Sequence, residues 1–145
     1  MEITLQEVTK ANYENVCDLD VSEHQQDYVA CNMWSLVESM FNQNHTTRAI
    51  YRDETPVGFF MWVREDTNKV SIWRFMVDSK YQGQGIGRAA LQIALEEIKA
   101  VENIQQIEIC YNPNNPVAKD FYGSFGFIEI GMDEDNEDML AVITL

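Results

Sequence analysis

The sequence has few of the residues from which disulfide frameworks and metal sites are built. It contains three cysteines, Cys17, Cys31 and Cys110, and two histidines, His24 and His45. The cysteines are scattered and odd in number, which fits thiols in a reducing compartment better than a disulfide scaffold. Neither histidine has a ligand partner nearby in the sequence, so we expect no metal site.

Long apolar runs are also missing. The longest uncharged apolar stretch, Pro56 to Val63, is far shorter than the ~20 residues that a membrane-spanning helix needs. Residues Met1 to Thr4 lack the basic region followed by an apolar one that opens a signal peptide. We therefore expect a cytoplasmic protein that has no membrane partner.

Basic residues are scarce. Ten lysines and arginines stand against 24 aspartates and glutamates, which gives a formal net charge of −14. This balance argues against a nucleic-acid partner, because proteins that bind nucleic acid present a basic face. A negative field also speeds the arrival of a cationic substrate, although charge alone does not separate that role from solubility.

The apolar pattern predicts a mixed α/β fold. With 145 residues and a hydrophobic content of 46%, the chain is expected to form a single domain over 1–145. One β-α-β unit predicts a parallel strand pair with a right-handed crossover, and short turns predict that the other strands are antiparallel, with helices on both faces of the sheet. The predicted order is β-α-α-β-β-β-α-β-α-β-β, with strands at 3–5, 47–52, 56–63, 70–77, 106–111, 127–132 and 139–144 and helices at 11–20, 25–41, 88–101 and 117–125.

A glycine-rich segment, Gln82-Gly83-Gln84-Gly85-Ile86-Gly87-Arg88, lies between a predicted strand and a predicted helix. Alternating glycines let the backbone approach a ligand closely and adopt φ values that other residues avoid. Free N–H groups at a helix start, together with the positive end of the helix dipole, form an anion site. A pyrophosphate is the ligand that this arrangement favours.

Three nucleotide-binding patterns compete for this segment. A Rossmann fingerprint would place its third glycine at Arg88, and residues 78–82 separate the strand from the first glycine. A Walker loop needs a Gly-Lys-Ser/Thr ending, which is missing. The coenzyme A pattern Q/R-x-x-G-x-G/A is matched by Gln82, Gly85 and Gly87. A connector that binds no ligand is a further alternative when the loop is taken alone.

A second motif, from Asn115 to Phe127, follows the next predicted strand. Asn115 and Tyr122 lie seven residues apart, so on a helix both would project from one face. The asparagine is suited to capping the helix or to binding an amide of a ligand. The tyrosine is suited to donating a proton into the same cleft, and a packing role as a half-buried aromatic is its alternative.

Together the two segments resemble the GNAT superfamily of N-acetyltransferases over Val70 to Phe127. The order is strand, Q-x-x-G-x-G, helix, strand and N-x-x-A-x-x-x-Y-x-x-x-G-F. The resemblance implies a GNAT-like fold, acetyl-CoA as cosubstrate and Tyr122 as the acid that protonates the leaving thiolate. It also implies a set of residues that bind the cosubstrate, namely Phe75, Met76, Val77, Gln82, Gly83, Gln84, Gly85, Ile86, Gly87, Arg88, Asn115, Lys119 and Tyr122.

A further resemblance lies upstream, to bacterial diamine and polyamine N-acetyltransferases. Its residues are Val21, Gln25, Tyr28, Val29, Asn32 and Ser35, followed by the strand 73–78. It implies an amine substrate near Glu23, Asp27, Tyr28 and Trp73. Mammalian-type polyamine enzymes carry a carboxylate pair in this central strand, whereas Trp73 and Arg74 occupy those positions here. A partner for Arg74 is expected if the side chain is buried.

The acceptor must lose a proton before it reacts. An alkyl amine with a pKa near ~10.4 is about 0.04% neutral at pH 7, a deficit of roughly 4.6 kcal/mol. The candidate carboxylates for a base are Glu23, Asp27, Glu38 and Glu108, each of which is also suited to a solvated surface. We expect direct acetyl transfer to a primary amine, with a diamine or polyamine such as spermidine or spermine as the acceptor and no covalent enzyme intermediate.

Other functions stay open. The acceptor alternatives are an amino acid, an antibiotic amine or a protein N-terminus. An acyl-CoA-binding regulatory module without turnover is the alternative of another class. A homodimer is expected only by analogy, since two-fold dimers are common among such folds.

Overall fold

One mixed sheet organises the molecule. The computed structural model describes residues 1–26 and 30–145. The sheet order is β1-β2-β3-β4-β5-β7-β6, and every neighbouring pair is antiparallel except β4 and β5. The predicted fold class and the parallel β-α-β pair are therefore confirmed. The strands are β1 Ile3–Gln6, β2 His45–Arg52, β3 Thr55–Arg64, β4 Lys69–Val77, β5 Gln106–Tyr111, β6 Ile128–Met132 and β7 Met139–Thr144.

Helices cover both faces of this sheet. Alternate residues of a strand point to opposite faces, so one strand can contribute side chains to the packing on both sides. In β3, Phe60 and Trp62 pack into the core that holds the buried stripe of α3, whereas Phe59 and Met61 pack into the core that holds Val16 of α1. α3 makes the crossover between β4 and β5. The α-helices are α1 Tyr13–Asp18, α2 Asn32–Phe41, α3 Ile86–Lys99 and α4 Ala118–Gly123, and 3₁₀ turns lie at Glu23–Gln25 and Ser79–Tyr81.

The prediction of one helix over 25–41 was wrong. Glu23–Gln25 is a 3₁₀ turn, Cys31 is extended, and α2 begins at Asn32. The buried Asn32 fixes this start, since its Nδ2 donates to the Val16 carbonyl at 2.8 Å. The predicted apolar stripe of this helix is largely exposed, with Met40 at 77% and Phe41 at 80%. A tertiary hydrogen bond to α1 thus outweighs the local apolar pattern.

β4 and β5 separate halfway along β4. Their parallel pairing runs from Lys69 and Gln106 to Ile72 and Ile109, whereas β4 continues to Val77. The separation coincides with a bulge in β4. β3 pairs with Ile72 and Arg74 and leaves Trp73 without a partner in the register. Bulges bend a strand and sharpen its twist. The bend opens a gap between the two strands at their carboxyl ends.

Candidate active site

A cavity of about 390 Å³ lies where β4 separates from β5. It is bounded by the end of β4, the glycine-rich loop, the start of α3 and the helix α4. Among the described residues its lining consists of Val21, Gln25, Phe75, Met76, Val77, Tyr81, Gln82, Gly83, Gly85, Ile86, Gly87, Arg88, Asn115, Val117, Ala118, Phe121 and Tyr122. A crevice at the carboxyl end of parallel strands is the usual place for a ligand in such a sheet.

The glycine-rich loop is shaped as an anion cradle. Gly83 and Gly85 have φ of 76° and 82°, and, apart from their chain neighbours, no atom of the described residues lies within 4 Å of where a Cβ would stand on either. The first backbone bond of α3 runs from Ala89 N to Gly85 O at 3.2 Å. The N–H groups just before Ala89 therefore lack intrahelical partners and point out of the helix end. The loop has the open space and the donors that a pyrophosphate needs.

Two side chains hold the loop in place. Gln82 Nε2 donates to the Val77 carbonyl at 2.9 Å and to Gln25 Oε1 at 2.8 Å. The buried Asp78 accepts from Asp20 N at 2.9 Å and from Lys80 N at 3.2 Å. The loop is thus tied both to the end of β4 and to the N-terminal segment, so its donors are fixed before a ligand arrives.

Arg88 supplies a positive charge to the cavity of an otherwise acidic protein. Its guanidinium lies 4.9 Å from the centre of the Phe125 ring and 5.5 Å from that of Phe121. Its Nη2 also donates to Ser124 Oγ at 3.0 Å. Stacking on the two rings holds the charge beside the helix start, where it adds to the attraction of the dipole for an anion.

Tyr122 stands at the inner end of the cavity on α4. Its ring is stacked on Tyr111 with centroids 5.7 Å apart, and it meets Phe75 and Phe127 edge-on at 6.5 Å and 6.0 Å. No described residue forms a hydrogen bond with its hydroxyl. Burial raises the pKa of the phenol well above its ordinary value, and Cys110 and Tyr111 raise it further. The hydroxyl therefore keeps its proton at neutral pH and is free to donate it.

Asn115 reaches the same cavity from a loop. α4 begins only at Ala118, so the predicted helical spacing between Asn115 and Tyr122 was wrong. The side chain of Asn115 closes a short turn instead, with Oδ1 accepting from Val117 N at 3.3 Å. Both residues nevertheless line the cavity, since the turn after β5 brings the loop against the start of α4.

A second cavity, of about 250 Å³, adjoins the first and shares Phe75, Asn115 and Tyr122 with it. Its walls are more charged. Arg74 lies there, and its expected partner is Glu38, whose Oε1 is 3.5 Å from Arg74 Nη2. The remaining lining residues are Ala30, Ile72, Trp73, Ile109, Cys110, Tyr111, Asn112 and Asp138.

Cys110 is the thiol of the second cavity. Part of the residue is open to solvent, yet burial of the thiol and the charge of Asp138 raise its pKa to about 11. At neutral pH it is therefore protonated and a poor nucleophile. This geometry favours direct transfer over a covalent thioester on the protein.

Several residues predicted for the site lie elsewhere. Gln84 does not line either cavity, because its Oε1 accepts from Arg52 Nη1 at 2.8 Å. Lys119 points away, with Nζ 3.8 Å from Glu129 Oε1. Glu23 is exposed on its 3₁₀ turn. Asp27 and Tyr28 lie outside the described residues.

The candidate bases Glu38 and Glu108 are each engaged with a cation. Glu38 pairs with Arg74, and Glu108 Oε2 accepts from Lys69 Nζ at 3.4 Å and from Ser71 Oγ at 3.3 Å. Neither carboxylate lines the two cavities. Sequence reasoning did not place Tyr81, Val117, Ala118, Phe121 or Asp138 at the site. Val117, Ala118 and Phe121 fall inside the second motif, which was the one signal available for them.

In the part of the chain that the structure describes, no helix is long and apolar enough to cross a membrane. The same residues hold no group of three or more histidine, cysteine, aspartate or glutamate side chains placed to bind a metal ion.

Comparison with known proteins agrees with this geometry. The family model described as the acetyltransferase (GNAT) family matches residues 13–127. The spermine/spermidine N(1)-acetyltransferase of Bacillus subtilis is 28% identical over 134 residues, covering 88% of both chains. The spermidine N-acetyltransferase of Vibrio cholerae, solved with CoA and spermine, superposes with a TM-score of 0.80 at 14% identity, covering 98% of this chain and 95% of that one.

A GNAT family acetyltransferase from Elizabethkingia anophelis, solved with acetyl-CoA bound, gives a TM-score of 0.72 at 16% identity over 99% of this chain and 98% of that one. The likeness to these two solved structures concerns the fold, whereas the family model spans β2 to β5, the glycine loop and α4 in sequence. The chain belongs to the GNAT family of acetyltransferases and is an acyltransferase that uses acetyl-CoA.

Proposed function

We propose that the protein transfers the acetyl group of acetyl-CoA directly to a primary amine of a diamine or polyamine. The observation that carries the proposal is the position of Tyr122, whose side chain lines both cavities. One cavity has the donors of an anion cradle, and the other has charged walls open to an amine. A proton donor at the junction of the two cavities would stand where the leaving thiolate and the attacking amine meet.

The first cavity would hold the donor. The N–H groups of 83–88 and the guanidinium of Arg88 would bind the pyrophosphate. In the described part of the chain, β4 does not pair with β5 beyond Ile72, so backbone groups of Phe75 and Val77 that face the gap, other than the Val77 carbonyl held by Gln82, would be open to amides of the pantetheine arm. Asn115 stands opposite this strand edge and would contact the same arm.

Tyr122 would act on the leaving group. Its phenol retains its proton at neutral pH, and expulsion of a thiolate is helped by a positioned acid. The aromatic wall of Phe75, Phe121 and Tyr122 would exclude water from the thioester.

A polyamine acceptor is supported by the named relative, by the charge and by the pairing of Arg74. The Bacillus subtilis relative is named for spermine and spermidine. The net charge of −14 favours the arrival of a polycation. Arg74 in the central strand would repel such a substrate, but the carboxylate of Glu38 lies 3.5 Å away and offsets its charge.

Thiol release from acetyl-CoA over an amine panel tests the proposal. The panel contains spermine, spermidine, putrescine, a monoamine and several amino acids, each at low and high salt. We expect kcat/KM to be highest for spermine or spermidine and to fall as salt rises, because salt screens long-range attraction. Best activity with an amino acid or a neutral amine, without a salt effect, would refute the polyamine acceptor and leave the acetyltransferase intact.

The same assay addresses the other open functions. An antibiotic amine or a peptide with a free N-terminus is added to the panel as an alternative acceptor. Tight acetyl-CoA binding without thiol release for any amine would indicate a regulatory module. We also propose that residues 1–145 act as one domain, since a single sheet joins all seven described strands.

A further inference from the structure

Asp138 lies at the end of the acidic turn 133–138, directly before β7, and lines the second cavity. The turn is closed by a different aspartate. Asp133 Oδ1 accepts from Glu137 N at 2.9 Å and from Asp138 N at 3.3 Å, and Asp133 N donates to the Asp138 carbonyl at 2.8 Å. The backbone of Asp138 is therefore fixed by the turn, and its carboxylate lies near enough to Cys110, another lining residue, to act on that thiol electrostatically.

The carboxylate of Asp138 has no counter-charge of its own. Among residues 1–26 and 30–145, no side chain or N–H group forms a hydrogen bond or an ion pair with it. Arg74, a cation of the same cavity, is paired through Nη2 with Glu38 and donates from Nη1 to the Trp73 carbonyl at 2.9 Å, while its buried Nε has no hydrogen-bond partner among the described residues. The cavity thus carries an uncompensated negative charge.

That charge is unfavourable in the free protein. Burial raises the pKa of the Asp138 carboxyl above its ordinary value, and the neighbouring Asp133 raises it further. The charge also reaches across the cavity, since it contributes to the raised pKa of Cys110. A partly buried carboxylate without a partner is stabilised by a cation that brings its own hydrogen-bond donors.

We propose that Asp138 binds the ammonium group of the acceptor in the second cavity and is a specificity-determining residue for cationic amines. The inference rests on the proposed acetyl transfer to an amine. An ammonium held there lies in the cavity that shares Tyr122, Phe75 and Asn115 with the donor cavity. The ammonium held there would be one that does not react, because the amine that attacks the thioester must be neutral, and a diamine or polyamine would supply it.

The test compares Asp138→Asn with Asp135→Asn, whose aspartate is exposed in the same turn. We expect Asp138→Asn to raise KM for the best acceptor of the panel by at least ~10-fold, with a smaller change in kcat and an unchanged KM for acetyl-CoA. Asp135→Asn should leave all three constants near wild type. Asp138→Glu, which restores the charge, should recover part of the affinity.

Calorimetric titration of spermine into the protein saturated with CoA gives a second measurement that does not depend on turnover. Binding should weaken in Asp138→Asn and return in Asp138→Glu. An unchanged KM and spermine affinity in folded Asp138→Asn would overturn the inference, as would an equal loss in Asp135→Asn. Wild-type preference for an amino acid would refute only the polyamine assignment, and Asp138 is then judged by the spermine titration, in which no acetyl transfer takes part.

Discussion

Replacement of Tyr122 by phenylalanine separates the proposed acid from a packing residue. The variant keeps the ring, so the contacts with Tyr111 at 5.7 Å and with Phe127 at 6.0 Å are retained. It removes a hydroxyl for which no described residue is a hydrogen-bond partner, so no hydrogen bond to the described part of the chain is lost. We therefore expect an unchanged melting temperature and an unchanged affinity for acetyl-CoA.

Turnover should respond differently. A positioned acid contributes about 10²-fold or more to such a step, so kcat should fall by at least about that factor. This corresponds to about 2.7 kcal/mol of transition-state stabilisation, at 1.36 kcal/mol for each tenfold. The assay is release of the CoA thiol at saturating acetyl-CoA and amine, followed over a range of pH.

The matched control is Tyr51→Phe. The Tyr51 hydroxyl accepts a hydrogen bond from Asn12 Nδ2 at 3.0 Å, and the residue lines neither cavity of the candidate site. This variant should lose some stability and keep its turnover. Wild-type turnover in a folded Tyr122→Phe variant would refute the acid role and leave Tyr122 as part of the aromatic wall.

Three further variants test CoA binding by the glycine-rich loop, the packing of the sheet and the effect of the Asp138 charge on stability. Gly85→Val places a β-branched residue at φ 82° and should abolish CoA binding. The control Gly131→Val, at φ 132° on β6, should leave CoA binding intact. Equal CoA affinity in the two variants would show that the loop does not bind CoA. Gly58→Ala presses a Cβ against the Met76 carbonyl and to 2.8 Å from Ile50 Cδ1, so denaturant unfolding should show a loss of about 1–3 kcal/mol, and Gly123→Ala, with open space around it, should show none. The raised pKa of Asp138 means that ionisation of this carboxyl opposes folding as pH rises through that pKa. Asp138→Asn should therefore melt higher than wild type near pH 7, with a gain that disappears below about pH 4, and a gain independent of pH would contradict the reasoning.

The order of strands and helices along the chain and the β-α-β crossover could be predicted because they depend on local patterns. A continuous apolar run marks β3, and the two-residue turn at Asp53 and Glu54 joins β2 to β3. The glycine loop was equally visible, since Gly83 and Gly85 are needed for positive φ. These features are set by a few neighbouring residues, so the sequence alone is sufficient to find them.

Features that depend on distant contacts were missed. The start of α2 is fixed by the bond from Asn32 to α1, which no local pattern reveals. The partner of Arg74 lies 36 residues away at Glu38. Which carboxylate of the turn 133–138 closes the turn and which lies at the cavity depends on how the Asp133 side chain folds back on the backbone. Side-chain direction in a turn is a tertiary property.

The separation of β4 from β5 also bears on how the protein moves. Four residue pairs, from Lys69 and Gln106 to Ile72 and Ile109, form the hydrogen-bonded seam between β1–β4 and β5–β7. Acetyl-CoA bound in the gap would contact both parts of the sheet and hold them together. Amide hydrogens of Trp73 to Val77 that face the gap should exchange with solvent in the free protein and become protected when CoA is bound. The ligand would then complete the sheet as a missing strand would, so binding and rigidity would rise together.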